Sequence, residues 1–176
     1  AQELEQSEFT AQGYEMSIGK DGDFPSLSVE LPEGGKVEID GVIDRVDVWE
    51  NEGETYVRIV DYKTGKKEFR LSDVLYGVNM QMLLYLAAVL EGRKEQAAGI
   101  LYMPAVRPVV SGSRHETPSQ LEKALDKQLR MNGLLVDNLR LLEAMEPGGG
   151  GRYLPVTVKD GKASRRDSLL TRSQMD

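Results

Sequence analysis

From Lys36 to Trp49 the chain reads KVEIDGVIDRVDVW, an alternation of apolar and polar positions dense in Val and Ile that predicts an extended strand. NEG at 51–53 supplies turn chemistry and ETYVRIVDYK resumes the alternation, so the pattern predicts a hairpin of two long strands. Both faces of the first strand carry apolar residues, Ile39 and Ile43 on one and Val42, Val46 and Val48 on the other. Strands of that kind are covered on both sides, and helices are expected to pack on this sheet.

The spacing then changes. In LSDVLYGVNMQMLLYLAAVLEG, Leu75, Val78, Met82, Tyr85, Leu86 and Val89 recur at helical intervals, with Ser72 as cap, Gly92 at the stop and Gly77 a point of division. AAGILYMPAV predicts a third strand, reached through a helix and therefore expected to pair in parallel. TPSQLEKALDKQL opens with Thr117 as cap, Pro118 at the first helical position and Gln120 as capping-box partner. Asn132 and Gly133 are expected to stop that helix, and LLVDNLRLLEAME to form another. PGGGG at 147–151 predicts a flexible loop and the remainder a weakly structured tail. The expected organisation is one domain over residues 1–146, with 147–176 as its Gly-rich loop and C-terminal extension.

Composition narrows the functions open to such a chain. Its 176 residues, 40% of them hydrophobic, suffice for a domain with a real core. Without cysteine there is no disulfide framework, thiol chemistry or cysteine metal site within these residues. A net charge of −7 opposes nucleic-acid binding over the whole surface and confines any such binding to a local patch. The first residues, AQELEQSEFTAQGYEM, carry neither a basic nor an apolar leader region, and no apolar run is long enough to span a membrane. The missing initiator Met and the abrupt end at TRSQMD lead to the expectation of a piece of a longer, cytoplasmic chain.

The candidate chemistry lies where apolar rows turn charged. Val57, Ile59, Asp61 and Lys63 share one face of the second strand, so a core-building row ends in an acid and an amine. Asp44 interrupts the row of Val42, Val46 and Val48 on the neighbouring strand. Isolated buried carboxylates are costly unless paired or bound to a cation. A hairpin can bring Asp44 near Asp61 and Lys63. Paired carboxylates suit Mg²⁺, which keeps several waters and takes phosphate oxygens as further ligands. A lysine beside them can orient or deprotonate the attacking water and offset charge on a phosphate. Taken alone, DYK near a strand end usually means solvated charges before a turn. Arg45 and Asp47, on the opposite parity, are expected to form structural ion pairs. Gln81 and Tyr85 lie four apart on one helix face, and spacing alone favours a boundary glutamine and an interior tyrosine. Lys66, Lys67 and Arg70 form a basic cluster, either a solvated turn or a local phosphate contact. The lone His115 sits in a loop and receives no role.

GVIDRVD, VRIVDYKTGKK and GVNMQMLLYLAAV, in that order, resemble the RecB-type nuclease domain of the PD-(D/E)XK superfamily, and most of all the nuclease domain of AddB-type helicase-nuclease subunits. The likeness is dense from Gly41 to Gly92 and weaker beyond. The resemblance implies an α/β fold of the restriction-endonuclease-like type, a mixed central sheet flanked by helices. It makes Asp44 and Asp61 metal ligands, with Tyr62 lending its main-chain carbonyl. It places Lys63 at the attacking water and scissile phosphate, and Gln81 and Tyr85 beside the site. Families of this type carry an upstream acid or histidine on a helix; Glu15 in GYEMSIG is the match this sequence offers. AddB-type subunits also resemble iron-sulfur proteins, with one cysteine before the nuclease core and three after it. Their absence here implies a chain cut between them.

The implied activity is Mg²⁺-dependent (or Mn²⁺-dependent) exonucleolytic hydrolysis of DNA, on single strands delivered by a helicase, in double-strand break repair and recombination, with the helicase-nuclease A subunit as partner. Two other readings stand beside it: a nuclease fold retired to a DNA-binding or structural module, and a freestanding RecB-like exonuclease. Intact Asp44, Asp61 and Lys63 argue against the first, since a binding module has no need of acids that repel phosphate.

Overall fold

The computed structural model of the chain describes residues 2–65, 71–76, 80–105, 117–149, 151–164 and 168–175. Along the chain run α1 (Gln2–Gln6), β1 (Thr10–Ile18), β2 (Leu27–Glu30), β3 (Lys36–Ile39), β4 (Gly41–Asn51), β5 (Glu54–Lys63), α2 (Leu71–Leu75) and α3 (Gln81–Leu90). There follow β6 (Gln96–Pro104), α4 (Pro118–Leu129), β7 (Asn132–Val136), α5 (Leu139–Met145), β8 (Val158–Lys159), β9 (Lys162–Ala163), β10 (Leu169–Leu170) and α6 (Arg172–Met175). A mixed sheet of six strands, in the order β1-β4-β5-β6-β7-β10, separates two apolar layers.

The central hairpin is the one the alternation predicts. Pairing runs from Arg45 opposite Val60 to Asn51 opposite Glu54. Its two-residue turn needs left-handed backbone at both positions, and Glu52 (φ 53°) and Gly53 (φ 82°) supply it. The first strand is shorter than expected. Lys36–Ile39 forms β3, which pairs with β2 in a separate two-stranded sheet, and the chain breaks at Asp40 before β4 begins. Alternation marks both stretches as extended but cannot say which sheet each joins. Val37 is 43% exposed, so the apolar positions before Asp40 build little core.

β6 runs parallel to β5, as its helical connection requires. Within that connection Ser72 lies inside α2, one residue past its start, rather than capping it from outside. The division falls between α2 and α3, while Gly77 lies outside the described residues. α3 buries Met82, Tyr85, Leu86, Ala88 and Val89 on the sheet face formed by Val46, Val57, Ile59 and Ile100. Gly92 follows with φ 69°, closing it. At α4 the capping box forms, the Thr117 N–H donating to Gln120 Oε1 at 2.8 Å.

Two expectations fail beyond α4. The segment 134–146 is not one helix: Asn132–Val136 is β7, and α5 starts only at Leu139, capped by Asn138, whose Oδ1 accepts from the Arg140 N–H at 2.9 Å. Leu134, Leu135 and Val136 are buried in succession on two faces, which a strand between β6 and β10 allows and a helix on one layer does not. Gly133 fits here because a Cβ would lie 2.0 Å from the Ile100 carbonyl oxygen. Nor is the C-terminal stretch weakly structured. Tyr153, Leu154 and Val156 are buried in the layer of Trp49, Leu135 and Leu142. The buried Glu146 carboxylate holds them there, accepting from the N–H groups of Arg152, Tyr153 and Leu154 at 2.7, 3.2 and 2.9 Å.

Candidate active site

On the face covered by α3, the row Val57, Ile59, Asp61, Lys63 leaves the core at its charged end. Val57 and Ile59 are buried, whereas the Asp61 and Lys63 side chains are 16% and 33% exposed. Lys63 Nζ lies 2.5 Å from Asp61 Oδ2. The β4–β5 ladder stops at Arg45 and Val60, and its register places Asp44 opposite Asp61 on the next step. There Asp44 Oδ2 accepts the main-chain N–H of Tyr62 at 2.7 Å, which fixes one carboxylate oxygen against the strand that carries Asp61. Asp44, Asp61 and Lys63 are thus brought together.

The row continues across the sheet. Asp61 pairs with Tyr102 of β6, and Tyr102 with Asn132 of β7. Tyr102 is 3% exposed, and its phenol is pushed up to about 12 by burial and then by the Asp61 carboxylate. It therefore stays neutral beside the acid, with Lys63 Nζ 5.9 Å from its ring centroid. Above the other end of the row Tyr85 is buried and Gln81 exposed, and Gln81 Nε2 donates to Tyr85 Oη at 2.9 Å. Tyr85 occupies the space a side chain on Gly41 would need, for a Cβ there would meet its oxygen at 2.1 Å. Glu15 lies in β1 between the pairs Tyr14–Arg45 and Met16–Ile43, hence opposite Asp44. Its φ of 52° is uncommon for a residue other than glycine, and the side chain is exposed. It stands on a strand, not on a helix. Lys66, Lys67, Arg70 and His115 lie outside the described residues.

On the opposite face Arg45 and Asp47 form the expected ion pair, Nε to Oδ1 at 2.8 Å. Two further buried members join them. Arg58 Nε meets Asp47 Oδ2 at 2.9 Å, and Glu3 accepts from both arginines. Burial pushes the Arg45 guanidinium down, but Asp47, Glu3 and Tyr62 outweigh it and hold the group above its ordinary value. Arg45 Nη1 also donates to the Tyr62 hydroxyl at 3.0 Å, so the network steadies the residue whose N–H anchors Asp44. Arg58 was legible from the hairpin register, which sets it opposite Asp47. Glu3 gave no local signal.

The family model of the PD-(D/E)XK nuclease superfamily matches residues 1–148. The chain belongs to the PD-(D/E)XK nuclease superfamily. It is 38% identical over 183 aligned residues to the B subunit of the ATP-dependent helicase/deoxyribonuclease of Acetivibrio thermocellus, covering 99% of this chain and 16% of that protein. It is 37% identical to the protein of the same name from Clostridium acetobutylicum, covering 100% and 16%. Against that of Clostridium tetani the identity is 39%, covering 96% and 16%. The chain therefore spans about a sixth of the length of these curated relatives.

Nucleases of this superfamily typically use divalent metals. The residues fit such an ion. Asp44 and Asp61 offer carboxylates on adjacent strands, and among the described residues the buried Asp61 Oδ2 has no hydrogen-bond donor and is paired with the Lys63 charge. Among the described residues no cluster of three or more His, Cys, Asp or Glu is present, so any ion here would keep positions for water and phosphate. An iron-sulfur cluster does not fit these residues, which include no cysteine.

Proposed function

We propose that this PD-(D/E)XK domain hydrolyses DNA phosphodiesters exonucleolytically, on single strands, with Mg²⁺ or Mn²⁺, as the nuclease part of a helicase-nuclease that processes double-strand breaks together with an A subunit. The observation that carries the reading is the meeting of Asp44, Asp61 and Lys63 at the one place where the buried face of the central hairpin turns polar.

In this reading Asp44 and Asp61 hold the cation, with the Tyr62 carbonyl as a further oxygen. The bound ion supplies Lewis-acid polarisation of the phosphate and neutralises its charge. Asp44 enters the reaction with one oxygen already fixed by the Tyr62 N–H, which limits its freedom before substrate arrives. Lys63 presents its ammonium to the phosphate and orients the attacking water. Water forms the new P–O bond, the bond to the departing ester oxygen breaks, and that oxygen takes up a proton. Gln81 and Tyr85 form the wall that keeps the start of β4 in place. Glu15 faces Asp44 in register but forms no three-acid cluster among the described residues and receives no role, and Lys66, Lys67 and Arg70 are assigned to the DNA backbone. The reading is supported by two acids and an amine at one strand end in a chain of this superfamily.

Labelled single-stranded DNA incubated with the intact protein and Mg²⁺ tests it. Cleavage should cease with chelator and fall by at least about 10²-fold in Lys63→Ala, the scale on which electrostatic stabilisers of this kind act. Cleavage that survives both treatments would place the chemistry elsewhere. A folded but inactive wild-type protein would favour the retired module.

A further inference from the structure

A cavity of about 560 Å³ lies between α4, the start of β7 and the Gly151–Arg152 segment, lined by Lys123, Asp126, Lys127, Arg130, Asn132 and Arg152. Its charge runs against the rest of the molecule, whose net charge is −7. Arg152 is matched by Asp126, Nε to Oδ1 at 2.8 Å. No carboxylate among the described residues pairs with Lys123, Lys127 or Arg130. Lys123 and Lys127 are a helical turn apart and so face the same side of α4, while Arg130 and Arg152 are half-buried in the wall. Exposed lysines on a helix are ordinarily a solvated face. Here they stand over a concave floor with Arg130 and Arg152, and the Asp126 carboxylate offsets one of the four positive charges, so a bound anion would be attracted by the rest.

The position of the cavity indicates which anion. Asn132 lines it and is also the last member of the row Asp44, Asp61, Tyr102, Asn132. Asp61 and Asn132 are separated by two strand spacings, about 10 Å, which is on the order of one to three nucleotides of a DNA strand. The basic cavity thus meets the row of the acidic centre at Asn132, two strands from Asp61. The separation also suits their signs, because acids that hold a cation repel the flanking phosphates, which need cations of their own.

We propose that this cavity is a backbone-phosphate subsite, which holds the nucleic-acid strand a short distance from the linkage being cut. The proposal rests on the nuclease reading for its geometry, but its charge argument stands without it. Arg130 and Arg152 supply fixed donors, and Lys123 and Lys127 supply mobile point charges. The contact is blind to sequence.

Two arms of one experiment test it in the intact protein. In the first, Asp61→Asn keeps DNA uncut while binding of a labelled single strand is followed against salt. Adding Lys123→Gln and Lys127→Gln, both exposed and so compatible with the fold, should reduce the slope of log K against log salt by about 0.7 for each phosphate no longer neutralised. An unchanged slope overturns the subsite whether or not the protein cuts DNA. In the second, oligonucleotides with one neutral methylphosphonate linkage are offered to the active protein. Neutralising a linkage a few nucleotides from the cut should raise KM several-fold in the wild type and leave kcat alone, and that sensitivity should vanish in the lysine pair. Equal profiles in both proteins overturn the proposal. So does competition by inorganic phosphate without any linkage sensitivity, which would mark a site for free anion only. A wild-type protein that cuts nothing but loses salt slope in the lysine pair would sink the nuclease reading and keep the subsite.

Discussion

At Gly41 a hydrogen atom in place of a side chain lets Tyr85 stand beside the first residue of β4. An added Cβ would meet the tyrosine oxygen at 2.1 Å and its Cζ at 2.4 Å. The Gly41 backbone lies outside the left-handed region, and the nearest atoms a side chain there would meet are those of that ring. Gly41→Ala should therefore destabilise by about 1–3 kcal/mol, the cost of overpacking, in urea denaturation. In a Tyr85→Leu background the same change should cost nearly nothing, since the ring is gone and a strand residue has lost only backbone freedom. Equal costs in the two backgrounds would show that the contact carries no weight. Single residues of this sort were partly legible in the sequence. Asp44, Asp61 and Lys63 stood out by parity, because a carboxylate in an apolar row demands an explanation. Tyr102 and Asn132 belong to the same row, yet a tyrosine in an apolar strand and an asparagine before a glycine break no pattern. Only the pairing of β5, β6 and β7 reveals them.

The pairing of β4 with β5 sets a second group of charges behind the first. Glu3, Arg45, Asp47 and Arg58 are all at most 5% exposed and pair with one another across α1 and the two strands. Asp47 takes a guanidinium on each carboxylate oxygen, so losing its charge leaves two buried arginines to one acid. Asp47→Asn is expected to cost about 3–5 kcal/mol in chemical denaturation, the penalty of a broken buried pair. A loss below about 1 kcal/mol would mean that water reaches the network. At this scale the sequence was most readable where turn chemistry and period agreed, as in the hairpin and at the capped start of α4. It misled where period alone was available. KVEI and GVIDRV share one alternation across Asp40 but enter different sheets, and LLV reads equally as helix or strand until β6 provides a partner. Glu3 was invisible for another reason: its partners lie 42 and 55 residues away.

Across the whole molecule the family match stops at residue 148, but the core does not. Tyr153, Leu154 and Val156 complete the apolar layer under Trp49 and Leu135, and Leu170 reaches the other layer beside β7. Full burial of such side chains is worth about 1.5–3 kcal/mol each. A stretch with few apolar residues can thus contribute a sizeable share of the roughly 5–15 kcal/mol that holds a domain together. A glycine-rich start and a charged composition hid this, because what matters is where the few apolar residues land and what holds the backbone between them. Glu146 does that holding through three main-chain N–H groups. Ending the protein after Gly148 should therefore expose apolar surface, seen as dye binding and loss of near-ultraviolet dichroism with helical signal retained. Glu146→Ala in the uncut protein should produce a milder form of the same change. A truncated protein with unaltered dichroism and melting would show that the segment only lies on the core. The truncation also removes Arg152 from the basic cavity, so a folded truncated protein should still bind DNA with a shallower salt dependence. Core and proposed phosphate subsite draw on the same segment, which ties the fold's last elements to the handling of the strand.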